Sequence, residues 1–506
     1  MINALDNMLN KVTMYRLVLY YLIGLLAVAA LYSFLGVLPY NGLSILFSAL
    51  FLVAVCWVTN TIFANTFGAP TNSESSLITA LILALTVPPV ISLNGLGLLF
   101  WMGVLSMASK YLLAFRRKNI FNPAAIAMVI LYLTTGQAAN WWVGTAAMLP
   151  FVLLGGVLVV RKVRRFDMVF FFLFGAFVTT WIFSAVQNTD LITATQAVLL
   201  SSPVFFLAFV MLTEPLTSPG TRKWQSLFGL LVGVLFSPQF HVASFYLTPE
   251  LALSAGNVLA FAVSQKGRPW LVLKRKDQVA PSITDFVFTP DQPIPFKAGQ
   301  YLELTLPHAH ADSRGNRRYF TIASAPEETD IRLGVRFYDS PSSFKRTLRG
   351  LQRGSHVIVS QVAGDFVLPA DPNQKLAFIA GGIGITPFCS MLAHLLVTGE
   401  KRDIVLIYIN RHVSEVVYRD LLEQARARLG IRVVYTLTKP DAAPPAWNGR
   451  LGRIGSQAIM EEIPDFAERL FYVSGSHEMV ATYQRILSGL SLRSEQVVTD
   501  YFPGLA

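Results

Sequence analysis

Four consecutive residues, Arg318, Tyr319, Phe320 and Thr321, carry the side-chain types that hold a flavin nucleotide. The guanidinium of Arg318 can bind a phosphate group through two parallel hydrogen bonds. Phe320 can lie against the planar flavin ring, the Thr321 hydroxyl can donate a hydrogen bond toward that ring, and Tyr319 completes the predicted set. A structural strand of a β-barrel alternates residues of the same types, so these four residues alone leave both interpretations open.

A glycine-rich turn further along the chain predicts a second nucleotide. Gly382 and Gly384 lie in a tight turn after a buried strand, and Thr386 and Pro387 begin a helix. Glycines let the backbone approach a pyrophosphate closely, and the positive end of the helix dipole favours the negative charge. The turn is not a full G-x-G-x-x-G pattern, because Pro387 occupies the last position. We expect NADH or NADPH to bind here.

Three other places in the second half of the chain are predicted to contact these nucleotides. Ser474 and Gly475 end a strand at the carboxyl edge of the predicted sheet, where such sheets bind ligands. Ser343 begins a helix whose N-terminus can face a diphosphate. Tyr501 and Phe502 can place a ring over the flavin, or can simply close the last strand. Thr321 and Ser474 are the predicted catalytic residues.

The chain is predicted to contain a membrane α-helical bundle fused to a soluble module of two domains. Residues 1–265 form the membrane domain. Short strands broken by proline and glycine predict an FAD-binding β-barrel over residues 266–370. Alternating strands and helices predict an NAD(P)-binding α/β domain with a doubly wound sheet over residues 371–506.

Composition supports the membrane assignment. The chain is 53% hydrophobic and 14% charged, with a mean hydropathy of +0.50, whereas soluble domains carry about 25% charge. Lysine and arginine cluster in alternate loops of the first half, which places the N-terminus and the soluble module in the cytoplasm. These loops also account for the basic pI without nucleic-acid binding. Ten spans are predicted, namely 15–36, 44–66, 77–92, 95–114, 123–137, 143–160, 166–186, 199–213, 225–237 and 250–264.

Cysteine and histidine counts limit the redox groups. Cys56 and Cys389 are the two cysteines of the chain, whereas an iron–sulfur cluster takes about four protein ligands. His241 is the single histidine before residue 265, whereas a haem relay takes pairs of axial histidines. The sequence therefore predicts no haem, no iron–sulfur cluster and no metal site in this chain.

Two short segments in the membrane half, Leu85–Pro89 and Leu212–Pro215, have similar sequences and are broken by proline. They fall in halves of opposite predicted orientation, which indicates an inverted repeat with a ligand or ion between the broken helices. Prolines also end helices at an interface without any ligand, so the structural alternative stays open. The residues of this tentative membrane site are Asn122, Thr213, Glu214, Thr217 and Asn257.

Residues 268–506 resemble the ferredoxin-NADP reductase superfamily, because the motifs that begin at Arg318, Gly382 and Tyr472 occur in its order and spacing. The resemblance implies FAD in the barrel, NAD(P)H on the sheet and hydride transfer to flavin N5. Ser474 stands where the family motif usually has cysteine. Arg411 follows the second strand, where an arginine could meet a 2′-phosphate, but NADH is the favoured nucleotide.

Residues 76–264 resemble the RnfD/NqrB family, the flavin-carrying membrane components of the bacterial Rnf and Nqr redox complexes. The resemblance implies a ten-span fold with internal symmetry in the inner membrane of a bacterium, and flavin in or at the membrane. The family motif for covalent FMN is missing from the loop 134–140. We therefore expect non-covalent FMN or riboflavin, or a quinone. The matching segments are Ile78–Pro89, Asn119–Ala125, Leu212–Pro219 and Asn257.

Two functions fit these observations. The favoured one is a membrane-bound NAD(P)H oxidoreductase that sends electrons through FAD to a flavin or quinone in the membrane domain, and on to an outward acceptor. The alternative is a redox-driven ion pump or a redox-gated transporter. Other redox proteins of a larger complex are candidate partners in either case, besides the lipid bilayer.

Overall fold

The computed structural model describes residues 8–9, 12–68, 73–90, 92–237, 239–242, 245–308, 312, 315–439, 443–445 and 447–502. The chain divides into two compact units, Met1–Gly267 and Arg268–Ala506. The first is called the membrane unit below, and the second the reductase unit.

The membrane unit is built from helices. Among the described residues, four are long and apolar enough to cross a membrane, or five if a pair bent by 55° counts as one span. The predicted number of ten spans stays a prediction. The helices are α1 (Met14–Phe34), α2 (Gly42–Phe67), α3 (Ser73–Thr86), α4 (Leu93–Leu112), α5 (Pro123–Thr135), α6 (Leu149–Val163), α7 (Phe166–Val186), α8 (Leu191–Leu200), α9 (Val204–Phe206, continued by a π-helix Leu207–Met211), α10 (Arg222–Leu235) and α11 (Pro249–Val263). Two-residue strands form short hairpins at Ala114–Asn119 and His241–Tyr246.

Helices α5 and α11 begin in the same way. Asn122 caps α5 by accepting hydrogen bonds from the amides of Ala124 and Ala125, and Thr248 caps α11 by accepting from the amide of Leu251. Each cap precedes a proline, whose missing N–H is not needed in the first turn. Both starts are therefore fixed locally by their own sequence.

Helices α7 and α10 pack with their backbones in contact. A Cβ atom at Gly233 would lie 2.1 Å from the carbonyl oxygen of Phe172, and one at Gly229 would lie 2.2 Å from that of Met168. Glycines four residues apart on one helix face allow such close approach in membrane proteins. This contact holds α7 and α10 together within the membrane unit.

The reductase unit begins with an antiparallel six-stranded sheet. Its strands are β1 (Trp270–Ala280), β2 (Ile283–Pro290), β3 (Tyr301–Thr305), β4 (Arg317–Thr321), β5 (Ile331–Arg336) and β6 (His356–Ala363), in the order β4-β3-β6-β1-β2-β5. The amide of Ala323, just after β4, donates to the carbonyl oxygen of Arg332 in β5 at 2.8 Å. This bond joins the two edges of the sheet around a buried core that includes Phe286 and Leu302. Helix α12 (Ser343–Gly350) precedes β6.

A parallel six-stranded sheet follows, in the order β10-β9-β8-β7-β11-β12. Its strands are β7 (Leu376–Gly381), β8 (Ile404–Asn410), β9 (Arg432–Leu437), β10 (Arg450–Leu451), β11 (Leu470–Ser476) and β12 (Val497–Phe502). The helices between them are α13 (Thr386–Thr398), α14 (Arg419–Leu429), α15 (Ser456–Glu462) and α16 (His477–Gly489). This arrangement agrees with the predicted reductase-like module, whereas the exact layout of the barrel stays a prediction.

Candidate functional site

The predicted flavin strand is β4, which pairs with β3 so that Phe320 lies opposite Leu302. Arg318 is buried, and its Nη1 donates to the carbonyl oxygen of Arg317 at 2.6 Å. The Arg318 guanidinium lies 5.2 Å from the ring centre of Phe344, and the Phe320 ring stacks on the same ring at 6.0 Å. Phe344, in the first turn of α12, therefore fixes the positions of both predicted flavin contacts.

Tyr319 points to the other side of the strand. Its side chain is 48% exposed and meets Tyr301 edge to face, with ring centres 5.4 Å apart. The structure thus places Tyr319 on the face of the strand opposite to Arg318 and Phe320, because successive residues of a strand face opposite sides.

The two predicted catalytic hydroxyls are alike in their surroundings. Thr321 Oγ1 and Ser474 Oγ are both buried, and neither has a hydrogen-bond partner among the described residues. A buried hydroxyl without a partner is destabilising by about 1–3 kcal/mol, so ligands are expected at both places. The residues present therefore fit a flavin at β4 and a nicotinamide nucleotide at the end of β11.

The first turn of α12 already binds a carboxylate. The amide of Ser343 donates to Asp312 Oδ2 at 2.9 Å, and Ser343 Oγ accepts from the amide of Asp312 at 3.0 Å. Ser343 Oγ also lies 3.0 Å from His308 Nε2. The helix N-terminus thus has the anion preference that the sequence predicts, and a diphosphate there would replace the carboxylate of Asp312.

The glycine turn leads directly from β7 into α13. Gly382–Ile385 form a single 3₁₀ turn, and Gly382 has a positive φ of 53°. A Cβ at Gly384 would lie 2.4 Å from the carbonyl oxygen of Ser474 and 2.7 Å from the Cα of Gly475. Pro387 stands in the first turn of α13. The glycines therefore bring the ends of β7 and β11 together at one edge of the sheet.

The structure describes the side chain of Thr386 but only the backbone of Tyr501 and Phe502. The Thr386 hydroxyl donates to the carbonyl oxygen of Ile383 at 3.1 Å, so it stabilises the turn itself. The backbone of Tyr501 and Phe502 completes β12 beside β11, but their side chains lie outside the described part of the structure.

Arg336 is a candidate contact that the motifs did not indicate. Its Nη1 would lie 3.3 Å from a Cβ at Gly382, so the guanidinium covers the glycine turn. Arg336 also forms an ion pair with Glu415, whose other oxygen accepts from the amide of Arg411 at 3.2 Å. Because Arg336 comes from β5, far from the turn in sequence, no local pattern could identify it.

A buried pair joins the two sheets of the reductase unit. The hydroxyl of Tyr418 donates to Oδ1 of Asp285 at 2.5 Å. Burial raises the pKa of Asp285, against the opposing effect of that hydrogen bond, and burial also raises the pKa of Tyr418. A Cβ at Gly334 would lie 2.5 Å from the Tyr418 hydroxyl, so this pair occupies a tightly packed position.

Four of the five residues of the tentative membrane site form one hydrogen-bonded cluster. Asn122 Nδ2 and Thr217 Oγ1 both donate to Oε2 of Glu214, at 2.8 and 3.1 Å. The amide of Asn122 donates to Asn257 Oδ1 at 2.8 Å, and Asn257 Nδ2 donates to the carbonyl oxygen of Thr217 at 2.9 Å. The Thr213 hydroxyl instead donates to the carbonyl oxygen of Phe209 in its own helix.

A cleft with an empty volume of about 500 Å³, part of it open to the outside, lies beside this cluster. Thr213, Glu214 and Pro215 line it together with Thr79 and Pro123. The cleft therefore meets one of the two segments that the sequence identified as a repeat, Leu212–Pro215, at the C-terminal end of the π-helix.

Two family models match the chain. Residues 138–238 match the NQR2, RnfD, RnfE family, and residues 378–485 match the oxidoreductase NAD-binding domain. These matches confirm the two resemblances predicted from the motifs.

Curated relatives match less than half of the chain. The flavohemoprotein of Bacillus subtilis (strain 168) is 26% identical over 46% of this chain and 58% of its own length. The phenol hydroxylase P5 protein of Acinetobacter pittii (strain PHEA-2) is 32% identical over 39% of this chain and 53% of its own length. The NAD(P)H-flavin reductase of Vibrio harveyi is 24% identical over 42% of this chain and 89% of its own length.

The chain thus spans less than two thirds of the flavohemoprotein and of the phenol hydroxylase protein. In sequence it combines a segment of the NQR2, RnfD, RnfE type with a reductase module of the ferredoxin reductase type.

Proposed function

We propose that this chain is a membrane-bound NAD(P)H oxidoreductase that passes electrons through FAD to an acceptor in the membrane unit. The acceptor is a non-covalent flavin (FMN or riboflavin) or a quinone, and electrons continue from there to an outward acceptor. The reductase unit lies on the cytoplasmic side of a bacterial inner membrane. Its domains are the barrel up to residue 370 and the nucleotide domain from residue 371.

The observation that carries the proposal is the pair of buried hydroxyls, Thr321 and Ser474, without partners among the described residues. FAD, when bound, accepts a hydride from the nicotinamide and releases the two electrons to the next carrier. Thr321 donates a hydrogen bond to the flavin ring, and Arg318 holds a phosphate of the same nucleotide. Ser474 orients the nicotinamide at the end of β11.

The nucleotide is NADH. Glu415 stands beyond the second parallel strand and accepts a hydrogen bond from the amide of Arg411. A carboxylate in such a place suits the ribose hydroxyls of NADH and repels the 2′-phosphate of NADPH. Steady-state kinetics with both nucleotides tests this: kcat/KM is expected to be higher for NADH, and Glu415→Gln is expected to narrow the difference. Equal kcat/KM values would contradict it.

The acceptor binds in the cleft beside Glu214. Ligand sites are clefts with a few fixed polar groups, and the cleft together with the Asn122–Glu214 hydrogen bond fits this description. The alternative function, a redox-driven ion pump or gated transporter, draws on the same half-buried carboxylate of Glu214, because ionisable groups inside membranes often mark ion pathways.

Acid extraction of flavin from the purified chain tests the cofactor assignment. We expect FAD in the extract and no flavin left on the polypeptide, together with NADH-dependent reduction of both ferricyanide and a soluble quinone. FMN or riboflavin beside FAD would identify a flavin as the membrane acceptor, and FAD alone would identify a quinone. Protein that contains FAD but does not oxidise NADH with either acceptor would contradict the proposed function.

A further inference from the structure

A fully buried carboxyl group lies in the membrane unit, in the first turn of α11. Glu250 has no exposed surface. Its Oε2 accepts a hydrogen bond from the indole Nε1 of Trp141 at 3.0 Å, whereas Oε1 has no partner among the described residues. The side chain of Thr248 and the backbone of Ala139 also act on this carboxyl group, but none of these neighbours is a cation. An ionised carboxylate in a low-dielectric interior needs a paired charge, so the geometry favours a carboxyl group that carries a proton.

Glu250 belongs to a row of polar residues on one face of α11. At 3.6 residues per turn, positions 250, 254 and 257 face the same side over about 10 Å of the helix axis. Ser254 is buried, and its hydroxyl lacks a hydrogen-bond partner in the described part of the chain. Asn257, at the end of the row, is the residue that binds the amide of Asn122.

The row therefore ends in the cluster around Glu214. The helices packed against α11 are α5 and α10. The titratable residues on them are Tyr132 of α5, whose hydroxyl accepts from the amide of Tyr246, and Arg222 and Lys223 at the start of α10. The loops 138–142 and 238–249 contain no lysine or arginine. The titratable cation candidate in these loops is His241, whose ring lies 5.1 Å from the ring of Tyr246.

We propose that Glu250 is a proton-binding site and that protons pass between it and the Glu214 cluster at the cleft along the face of α11 that also holds Ser254. Each proton that leaves the carboxyl group of Glu250 moves by way of the Ser254 hydroxyl, and the remaining carboxylate takes up another proton from solvent at its own end of the unit. The path supplies the protons that an acceptor in the cleft takes up with its electrons, and to that extent it rests on the proposed function.

Infrared spectroscopy of the purified full chain tests the proton site without any turnover. The carbonyl band of a protonated carboxylic acid is expected in the wild type at neutral pH and is expected to be lost in Glu250→Gln, which keeps an acceptor for Trp141. Ser254→Ala is expected to shift this band, because it removes the neighbouring hydroxyl. Ser184→Ala, which removes a buried hydroxyl without a described partner on α7, is expected to leave it unchanged.

A wild-type spectrum in which neither Glu250→Gln nor Ser254→Ala changes the band would overturn the proposal. If the Glu250→Gln variant does not fold, the carbonyl band of Ser254→Ala tests the proposal alone: a shifted band supports it, and an unshifted band overturns it.

The path itself is tested in sealed vesicles that contain the full chain and an entrapped pH dye, with NADH and a quinone added. The number of protons moved per NADH is expected to fall about tenfold in Glu250→Gln, as for loss of a proton-transferring group, and to stay at the wild-type value in Ser184→Ala. An unchanged ratio in Glu250→Gln would overturn the path. Wild-type vesicles that do not oxidise NADH would count against the proposed function instead, and the infrared result would still decide the proton site.

Discussion

The hydroxyls of Thr321 and Ser474 are the residues on which the chemistry depends most. Both are buried without partners among the described residues, and each ends or follows a strand that the motifs had identified. Arg318 and Phe320 are held by one further residue, Phe344. At this scale the sequence identified four neighbouring residues that the structure places on one strand, and their contact with a flavin stays a prediction. Arg336 could not be predicted, since it reaches Gly382 from another sheet.

Replacing Thr321 by valine tests its role directly. Thr321→Val keeps the shape and removes the hydroxyl, so FAD is expected to stay bound while flavin reduction by NADH slows roughly tenfold, the effect of one lost hydrogen bond of about 1.4 kcal/mol. Stopped-flow bleaching of the flavin absorbance measures the rate. Thr289→Val removes a hydroxyl bound to Asp330 and serves as the control. Equal rates in the two variants would show that Thr321 is only a strand residue.

Helix ends and helix contacts decide how the membrane unit is built. The caps at Asn122 and Thr248 depend on local sequence alone, because each N-cap residue stands directly before a proline. The helix Leu191–Leu200 was not predicted. Residues 187–198, between the predicted spans 166–186 and 199–213, were expected to form a loop. Asp190 starts this helix by accepting from the amide of Thr193 at 2.8 Å, and the chain bends by 55° before Val204.

The contact between α7 and α10 predicts unequal effects of the same mutation at two glycines. Gly233→Ala would place a methyl group 2.1 Å from a backbone oxygen of α7, and it is expected to destabilise the membrane unit by about 1–3 kcal/mol. Gly24→Ala in α1 meets no atom within 4 Å and is expected to be neutral or stabilising. Thermal unfolding of the detergent-solubilised proteins compares them. A Gly233→Ala variant as stable as Gly24→Ala would contradict the close packing.

The pair Tyr418–Asp285 predicts a pH dependence for the reductase unit. Because burial raises the pKa of Asp285 in the folded state, its contribution to stability is present below the usual pKa of about 4 and is lost as the pH rises through the raised value. Asp285→Asn removes this loss and keeps an acceptor for Tyr418. The stability of the Asp285→Asn variant relative to the wild type is expected to increase as the pH rises above about 4 and then to level off.

Thermal unfolding followed by flavin fluorescence over this pH range measures the difference between the two proteins. Taking the difference removes the contributions of groups that both proteins share. A stability difference in favour of Asp285→Asn that shrinks with rising pH would show that the hydrogen bond from Tyr418 affects the pKa of Asp285 more than burial does.

At the scale of the whole molecule, the chain joins a unit that binds nucleotides to a unit with helices of spanning length. This division was predictable, because hydrophobicity and charge change abruptly near residue 265. The hydrogen-bonded cluster of the membrane unit was predicted only as a set of residue types. Its pairing depends on contacts such as Asn122–Asn257, which are 135 residues apart in sequence, and no local pattern specifies such a contact.

The central claim is that electrons from NADH reach an acceptor held by the Asn122–Glu214 cluster. The most direct test is the ratio of quinone reduction to ferricyanide reduction by the purified chain with NADH. Asn122→Ala is expected to lower this ratio about tenfold, since it removes a hydrogen bond to a charged group. Asn60→Ala, at a buried asparagine bound to Tyr111, is expected to keep the wild-type ratio. A ratio that is the same in all three proteins would contradict the account.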